Sequence, residues 1–371
     1  MRKARWLAEW KDGVAKPVLY HAISRVVDRR FVFAEQECEA FRMFMRMYEN
    51  FSGCRVLSYC VMSNHFHLLL EVPPMPVGGL ADEALLKRLS ALYSEAFVAG
   101  VATELVEARK TGANPEMTED GSCGEARVAE IHARFTYRMH DLSEFMKGLL
   151  IRFTRWFNRT HSRTGTLWEE RFKSVIVESG VAARTLAAYI DLNPVRAGMV
   201  TDPVDYRWSS YGEAVGGGAK GNGKKAREGL VRAYFCDQGV GFEIEKWQEV
   251  SRLYRRLMGL ALGKKPGHAQ VSKAAKGLGQ TTKNTAELLE SIDNETVLKD
   301  LRMAKLLRCR IRYFTDGAVI GSKEFVNEAF ASARDRFGAK RKDGARKMRG
   351  VGAAAASGIL WSLRDLQKGV A

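Results

Sequence analysis

Little in this 371-residue sequence points to a secreted or membrane-embedded protein. Its six cysteines (Cys38, Cys54, Cys60, Cys123, Cys236, Cys309) are scattered, with no CxxC pair. That argues against a zinc ribbon and offers no disulfide framework, so a reducing, cytoplasmic setting is expected. No apolar run approaches the roughly 18 residues of a membrane span. The N-terminal stretch MRKARWLAEWKDG is basic, yet it carries acids and lacks a secretory apolar core. Acidic residues are in deficit: 43 Asp and Glu against 59 Lys and Arg leave a net charge of +16. An excess of that size implies an anionic partner, most often nucleic acid. A nucleotide-binding loop is missing too. Val215–Lys225 (VGGGAKGNGKK) places Gly218, Gly223 and Lys224 at phosphate-loop spacing, but Lys225 stands where Ser or Thr is needed and no strand precedes it. No nucleotide cofactor is expected. What remains is 46% hydrophobic, enough for one large domain or two ordinary ones.

The most informative stretch is Tyr59–Pro73 (YCVMSNHFHLLLEVP). Apolar and polar residues alternate through it, as in a strand with one covered and one open face. Phe66, Leu68, Leu70 and Val72 then point one way, and His65, His67, Leu69 and Glu71 the other. Two imidazoles two residues apart on an open strand face can hold one divalent metal. His21, in the first expected strand, could face that metal, but it reads rather as a packed histidine of the core.

Around this strand the pattern predicts an ordered series of elements. Lys16–Val26 reads as a strand, Ala34–Asn50 as a helix, and Cys54–Val61 with His65–Val72 as a hairpin turning through Met62-Ser63-Asn64. Asp141–Arg159 reads as a helix, with Met146, Leu149, Leu150, Phe153 and Phe157 at helical spacing and Asp141 or Ser143 as its cap. Phe172–Glu178 reads as a last strand. The order β-α-β-β-α-β is the split βαβ, ferredoxin-like arrangement of the α+β class. Residues of about 74–140 interrupt it as a helical insertion, with Leu80–Lys110 helical and Gly112–Gly124 a loop.

The expected domains are 1–214, a glycine-rich linker over 215–228, and a helical region over 229–371. In that last region Gly241–Leu262, Glu295–Arg312 and Ser322–Phe337 read as helices, with Ser322 as an N-cap. The turn Thr315-Asp316-Gly317 leaves a helix-turn-helix or an ordinary helical hairpin open. Eight basic residues between Arg334 and Arg349 read equally as a solvated tail or a phosphate-binding patch.

A second constellation lies in Ser179–Val200 (SGVAARTLAAYIDLNPVRAGMV). Ser179 is the expected cap of a helix that Pro194 stops or kinks. Tyr189 and Asn193, four apart, share a face. The VMSNHFHLLLEVP strand, the Phe157–Glu178 block, the AAYIDLNPVRAGMV helix and DYRWSSY (Asp205–Tyr211) together resemble the REP-associated tyrosine transposases. These belong to the single-tyrosine HUH superfamily, which includes small insertion-sequence transposases. The resemblance covers roughly Pro17 to Gly212, outside the insertion. It implies an HUH nuclease domain in which Tyr189 is the nucleophile, His65 and His67 are ligands of Mg²⁺ or Mn²⁺, and Asn193 stands where related enzymes put a polar third ligand. It further implies a single-stranded or hairpin-forming DNA repeat as substrate, and a cytoplasmic, nucleoid-associated enzyme, monomer or homodimer.

DNA binding is expected from Arg152, Arg155 and Arg159 on one helix flank, then Arg163, Arg171 and Lys173, interleaved with Trp168 and Phe172. Basic groups tracking a backbone, with aromatics for base stacking, describe a single-strand site. Trp156 and Trp208 read rather as core residues, and Trp168 is open between the two roles. Two other readings compete: a nucleic-acid-binding regulator that does not cut, and a metal-dependent RNA nuclease without a covalent step.

Overall fold

In the computed structural model the described residues are 16–112, 124–216, 223–239, 242–262, 312–338, 341–348 and 360–364, together with 304 and 307. They divide by compactness into two units, within Lys11–Lys173 and Ser174–Ala371.

The first unit is built on a three-stranded antiparallel sheet. β1 (Val18–Arg25) and β2 (Arg55–Val61) flank β3 (His65–Val72). The hairpin between β2 and β3 closes with the Met62 N–H donating to the His65 carbonyl at 2.8 Å. Two helices cover one face: α1 (Glu35–Ser52) and α5 (Leu142–Thr160). Each forms where its apolar spacing predicts. In α1 the Ala34 N–H, left without a helical partner, donates to the Glu37 carboxylate at 3.0 Å. In α5 Asp141 is the N-cap and accepts from the Glu144 N–H at 2.7 Å. The helices meet closely at Gly148, where a Cβ would collide with the ring of Tyr48. Phe41 of α1 packs 4.5 Å from Phe66 of β3 and 5.3 Å from Phe153 of α5, which joins both helices to the sheet.

The insertion carries three helices: α2 (Asp82–Leu89), α3 (Glu95–Gly112) and α4 (Gly124–Thr136). Their apolar faces bury Leu85, Leu89, Val101, Leu105, Ile131 and Phe135 together with Phe51 of α1, a satellite core of their own. Most of the loop expected at Gly112–Gly124 lies outside the described residues.

The second unit begins with β4 (Lys173–Val177), whose first residue closes the preceding unit, and α6 (Val181–Asp191), α7 (Asn193–Arg196) and α8 (Ser210–Gly216) follow. The chain order β1-α1-β2-β3-α5-β4 is that of the split βαβ arrangement, and the fold is α+β. Ser179 does not cap α6. Gly180 takes the N-cap position with φ 82°, a backbone region that a glycine enters at no steric cost. Its N–H faces Cys236 Sγ, 3.4 Å away.

The expected linker and tail are structured differently from their composition. α8 runs to Gly216 and α9 (Lys224–Phe235) starts at Lys224, so helices enter 215–228 from both sides. α9 and α10 (Trp247–Ala261) pack with α6 and α8 in the same unit. Nor is the region after 229 purely helical. β5 (Val319–Gly321) pairs parallel with β4, β7 (Trp361–Leu363) pairs antiparallel with β5, and β6 (Arg346–Lys347) with β7. The turn after α11 (Arg312–Thr315) therefore leads into a strand, which rules out a helix-turn-helix there. Ser322 does cap α12 (Lys323–Ser332), accepting from the Phe325 N–H at 3.2 Å, while the Glu178 carboxylate accepts from the Ser322 N–H and hydroxyl at 2.6 and 2.9 Å. The helix expected over Glu295–Arg312 lies almost wholly outside the described residues, as do Lys340 and Arg349 of the basic cluster.

Candidate metal centre and tyrosine helix

β3 brings His65 and His67 together, with ring centroids 5.0 Å apart and planes near perpendicular at 82°. The open face expected for them is not observed. β3 is central in its sheet and buried on both sides: Phe66, Leu68 and Leu70 on one, His67, Leu69 and Glu71 on the other. His67 is 3% exposed, while His65, at the end of the strand, remains partly accessible. Alternation predicted which side each residue takes and could not predict that both sides are covered. Glu71 is buried with an ion pair, its carboxylate 3.0 Å from the Arg55 guanidinium.

His21 belongs to this group. It is fully buried on β1, and its Nε2 lies 3.0 Å from His67 Nδ1 with the rings stacked at 5.1 Å. The reading as a core histidine is right about its burial and missed its partner. The strand register brings them together: β1 and β3 pair antiparallel with Ile23 opposite His67, which puts His21 one same-face step away on the neighbouring strand.

The residues fit a divalent ion in the ways that can be tested on them. Burial, aided by the Arg25 guanidinium, pushes His65 down to about 4, so the ring is neutral at pH 7. Arg25 stands directly opposite His65 in the strand pairing. His65 Nδ1 lies 2.7 Å from Asn64 Oδ1, which leaves Nε2 available. Among the described residues no three His, Cys, Asp or Glu side chains gather as a ligand set. Two imidazoles with further oxygen donors is therefore the set the side chains allow.

Tyr189 lies in α6 and is 1% exposed. Its ring stacks on Phe314 of α11 with centroids 4.4 Å apart and planes at 20°. The Arg196 guanidinium lies 4.9 Å from the ring centroid. Burial raises the phenol to about 12, against the lowering pull of Arg196. Pro194 ends α6 as expected, and Asn193 opens the short α7, its Nδ2 donating to the Ile190 carbonyl at 3.3 Å. Asp191, passed over in the sequence, anchors this helix: fully buried, it accepts from the Tyr211 N–H at 2.9 Å and from the Tyr254 hydroxyl at 2.6 Å. Only its place in a helix between a tyrosine and a proline could have drawn attention to it.

Arg155 and Arg159 are exposed, and Arg152 lies over Phe44 with its guanidinium 5.6 Å from the ring centroid. Arg163 lies over Phe157, Arg171 is exposed, and Lys173 pairs with Glu170 at 3.1 Å. Trp168, which could serve either for base stacking or in the core, packs inward. Its indole N–H donates to Thr154 Oγ1 at 2.9 Å, and its ring packs 5.6 Å from Phe66 and 5.9 Å from Phe153. Those partners make it a packing residue of the first unit's core.

Known proteins resemble part of this arrangement. Residues 15–77 match the family described as Transposase IS200 like. The IS200-like segment holds β1, α1, β2 and β3, and with them His21, His65 and His67; Tyr189 lies beyond it. A solved structure of a REP-associated tyrosine transposase bound to a REP hairpin aligns at 13% identity and a TM-score of 0.33, over 58% of this chain and 88% of that one. That likeness is too slight to support a conclusion. No curated protein matches the chain. Among the described residues no helix is long and apolar enough to cross a membrane.

Proposed function

We propose that the protein is a metal-dependent single-strand DNA endonuclease and strand transferase that works through a 5′-phosphotyrosine on hairpin-forming repeats. One observation carries this reading: two adjacent imidazoles, one held neutral, stand on a strand inside a segment that matches IS200-like transposases. Tyr189 is the nucleophile in this reading and Asn193 the oxygen ligand; both come from the sequence resemblance.

A bound Mg²⁺ or Mn²⁺ would supply a Lewis acid at a non-bridging phosphate oxygen. His65 and His67 would hold it as neutral ligands, so that its charge stays available to the phosphate. The Tyr189 phenol loses its proton, its oxygen bonds to phosphorus, and the bond from phosphorus to the 3′-oxygen breaks. The 3′-oxygen takes up a proton and leaves as a hydroxyl. Attack by a 3′-hydroxyl on the phosphotyrosine reverses the step, so rejoining requires no nucleotide. Arg155, Arg159 and Arg171, all exposed, would follow the phosphate backbone.

A second reading draws on the burial of Tyr189 beneath Phe314. A phosphodiester cannot reach a phenol that is covered, which favours a protein that binds nucleic acid without cutting it. One experiment separates the two. The full chain is incubated with hairpin oligonucleotides and Mn²⁺ or Mg²⁺, denatured, and searched for a covalent adduct by mass spectrometry. An adduct mapped to Tyr189 is expected. Binding without an adduct would favour the regulator, and cleavage without one the RNA-nuclease type of mechanism.

A further inference from the structure

The two candidate ligands are held by different neighbours. His65 Nδ1 lies 2.7 Å from Asn64 Oδ1. The Asn64 amide is oriented by its own nitrogen, which donates to the Arg29 carbonyl at 2.9 Å. Turned that way, the amide offers His65 an oxygen, which only accepts. His65 is therefore protonated on Nδ1 and carries its lone pair on Nε2.

His67 Nδ1 faces His21 Nε2 at 3.0 Å. One of the two nitrogens donates, and the direction decides what His67 can do. With His21 donating, His67 carries its proton on Nε2 and has no lone pair there. With His21 accepting, Nε2 of His67 is bare, matching His65. His21 is not placed as a third ligand, since no three-residue ligand set exists among the described residues. It reaches His67 from the neighbouring strand, through a rigid antiparallel pairing that runs from Val18 opposite Val72 to Arg25 opposite His65.

We infer that His21 is a positioning residue whose Nε2 accepts the Nδ1–H of His67, holding that ring in the tautomer with a bare Nε2 for a divalent cation. The inference rests on the metal reading of the histidine pair. Metal-ligating histidines commonly donate their other ring N–H to a fixed acceptor, which sets tautomer and orientation and makes the ligating nitrogen more basic. Asn64 does this for His65, and His21 is the buried acceptor that does it for His67. Full burial of His21 fits the role, because no water competes for the hydrogen bond and a charged pair of rings would be disfavoured. His21 itself then carries its proton on Nδ1.

The test uses the full chain with His21→Leu, which removes the acceptor, and His21→Gln, which restores an acceptor oxygen. Long-range ¹H–¹⁵N correlation of the metal-free protein reports the tautomer of each histidine. Wild type should show both His65 and His67 protonated on Nδ1. His21→Leu should lose that preference at His67 alone, and His21→Gln should regain it. Mn²⁺ titration followed by EPR should show affinity falling about 10- to 100-fold in His21→Leu and largely recovered in His21→Gln. A wild-type His67 protonated on Nε2, or a tautomer and affinity unmoved in His21→Leu, would overturn the assignment. Pulsed EPR of the Mn²⁺ form should count two imidazoles; three would make His21 a ligand and overturn it as well. Absence of Mn²⁺ binding in wild type, with the tautomers as expected, would sink the metal reading and the role built on it. The tautomer spectra keep that failure distinct from an error about His21.

Discussion

The histidine strand and the tyrosine helix are prepared in opposite ways. On β3, His65 is held neutral by burial and Arg25, its Nδ1 engaged by Asn64, while His67 is engaged by His21. On α6, Tyr189 is buried, stacked on Phe314 and raised to about 12, a phenol kept protonated and covered. In the proposed reaction the histidines could serve as they stand, whereas the phenol would first have to be uncovered and lose its proton. Cutting would then wait on a shift of α6 or α11.

The sharpest way to break this contrast is to remove the attacking oxygen. Tyr189→Phe keeps the ring and its stack on Phe314, so the fold and Mn²⁺ affinity should persist while cleavage and adduct formation vanish. Cleavage at a wild-type rate would show that the tyrosine half plays no chemical part. Next come the ligands. His65→Ala and His67→Ala each remove one neutral donor from an ion expected to supply several kcal/mol, so cleavage should fall roughly 10³-fold. EDTA should act likewise on wild type. Chelator-resistant cutting in a gel assay would refute the metal centre.

Acid should separate the halves by stability. His65 titrates near 4 in the folded chain and at its ordinary value near 6.5 when unfolded. Between those values the unfolded chain binds a proton that the native one does not, so stability falls as pH drops from about 6.5 to 4 and levels off below. The loss amounts to about 3 kcal/mol. Urea unfolding of the metal-free protein across this range should show the slope, and His65→Gln should flatten it; equal slopes in both would place the titration elsewhere. The smallest effect concerns the cover. Phe314→Leu keeps most of the apolar volume but loses the stacked ring, so nitration of Tyr189 by tetranitromethane should quicken several-fold with little change in melting temperature. An unaltered nitration rate would mean that Phe314 is packing alone and does not guard the phenol.

Much of the first unit was legible because its signals are local. The alternation of His65–Val72, the helical spacing of Met146, Leu149, Phe153 and Phe157, and the Asp141 cap each constrain a few consecutive residues, and each appears where expected. The errors arose where distant residues decide. β5 and β7 are three residues each, too short for a periodicity of their own, and exist only because they pair with β4 and with each other. The glycine run of 215–228 suggested a linker, but helices enter it from both sides because α9 has α6 and α8 to pack on. Trp168 offered itself as a stacking ring until the cluster of Phe66 and Phe153 claimed it.

By itself the sequence determined the order of strands and helices from β1 to α6 outside the insertion, which side of β3 each histidine takes, and the helix that carries Tyr189, since period, caps and proline act within a few residues. Tertiary structure alone decided that both faces of β3 are covered, that His21 meets His67, and that Phe314 lies over Tyr189. Those outcomes join residues 46 positions apart in the case of the histidines and more in the case of the aromatic stack. Burial and hydrogen-bond partnership at such separations are properties of the packed chain, which no local pattern encodes.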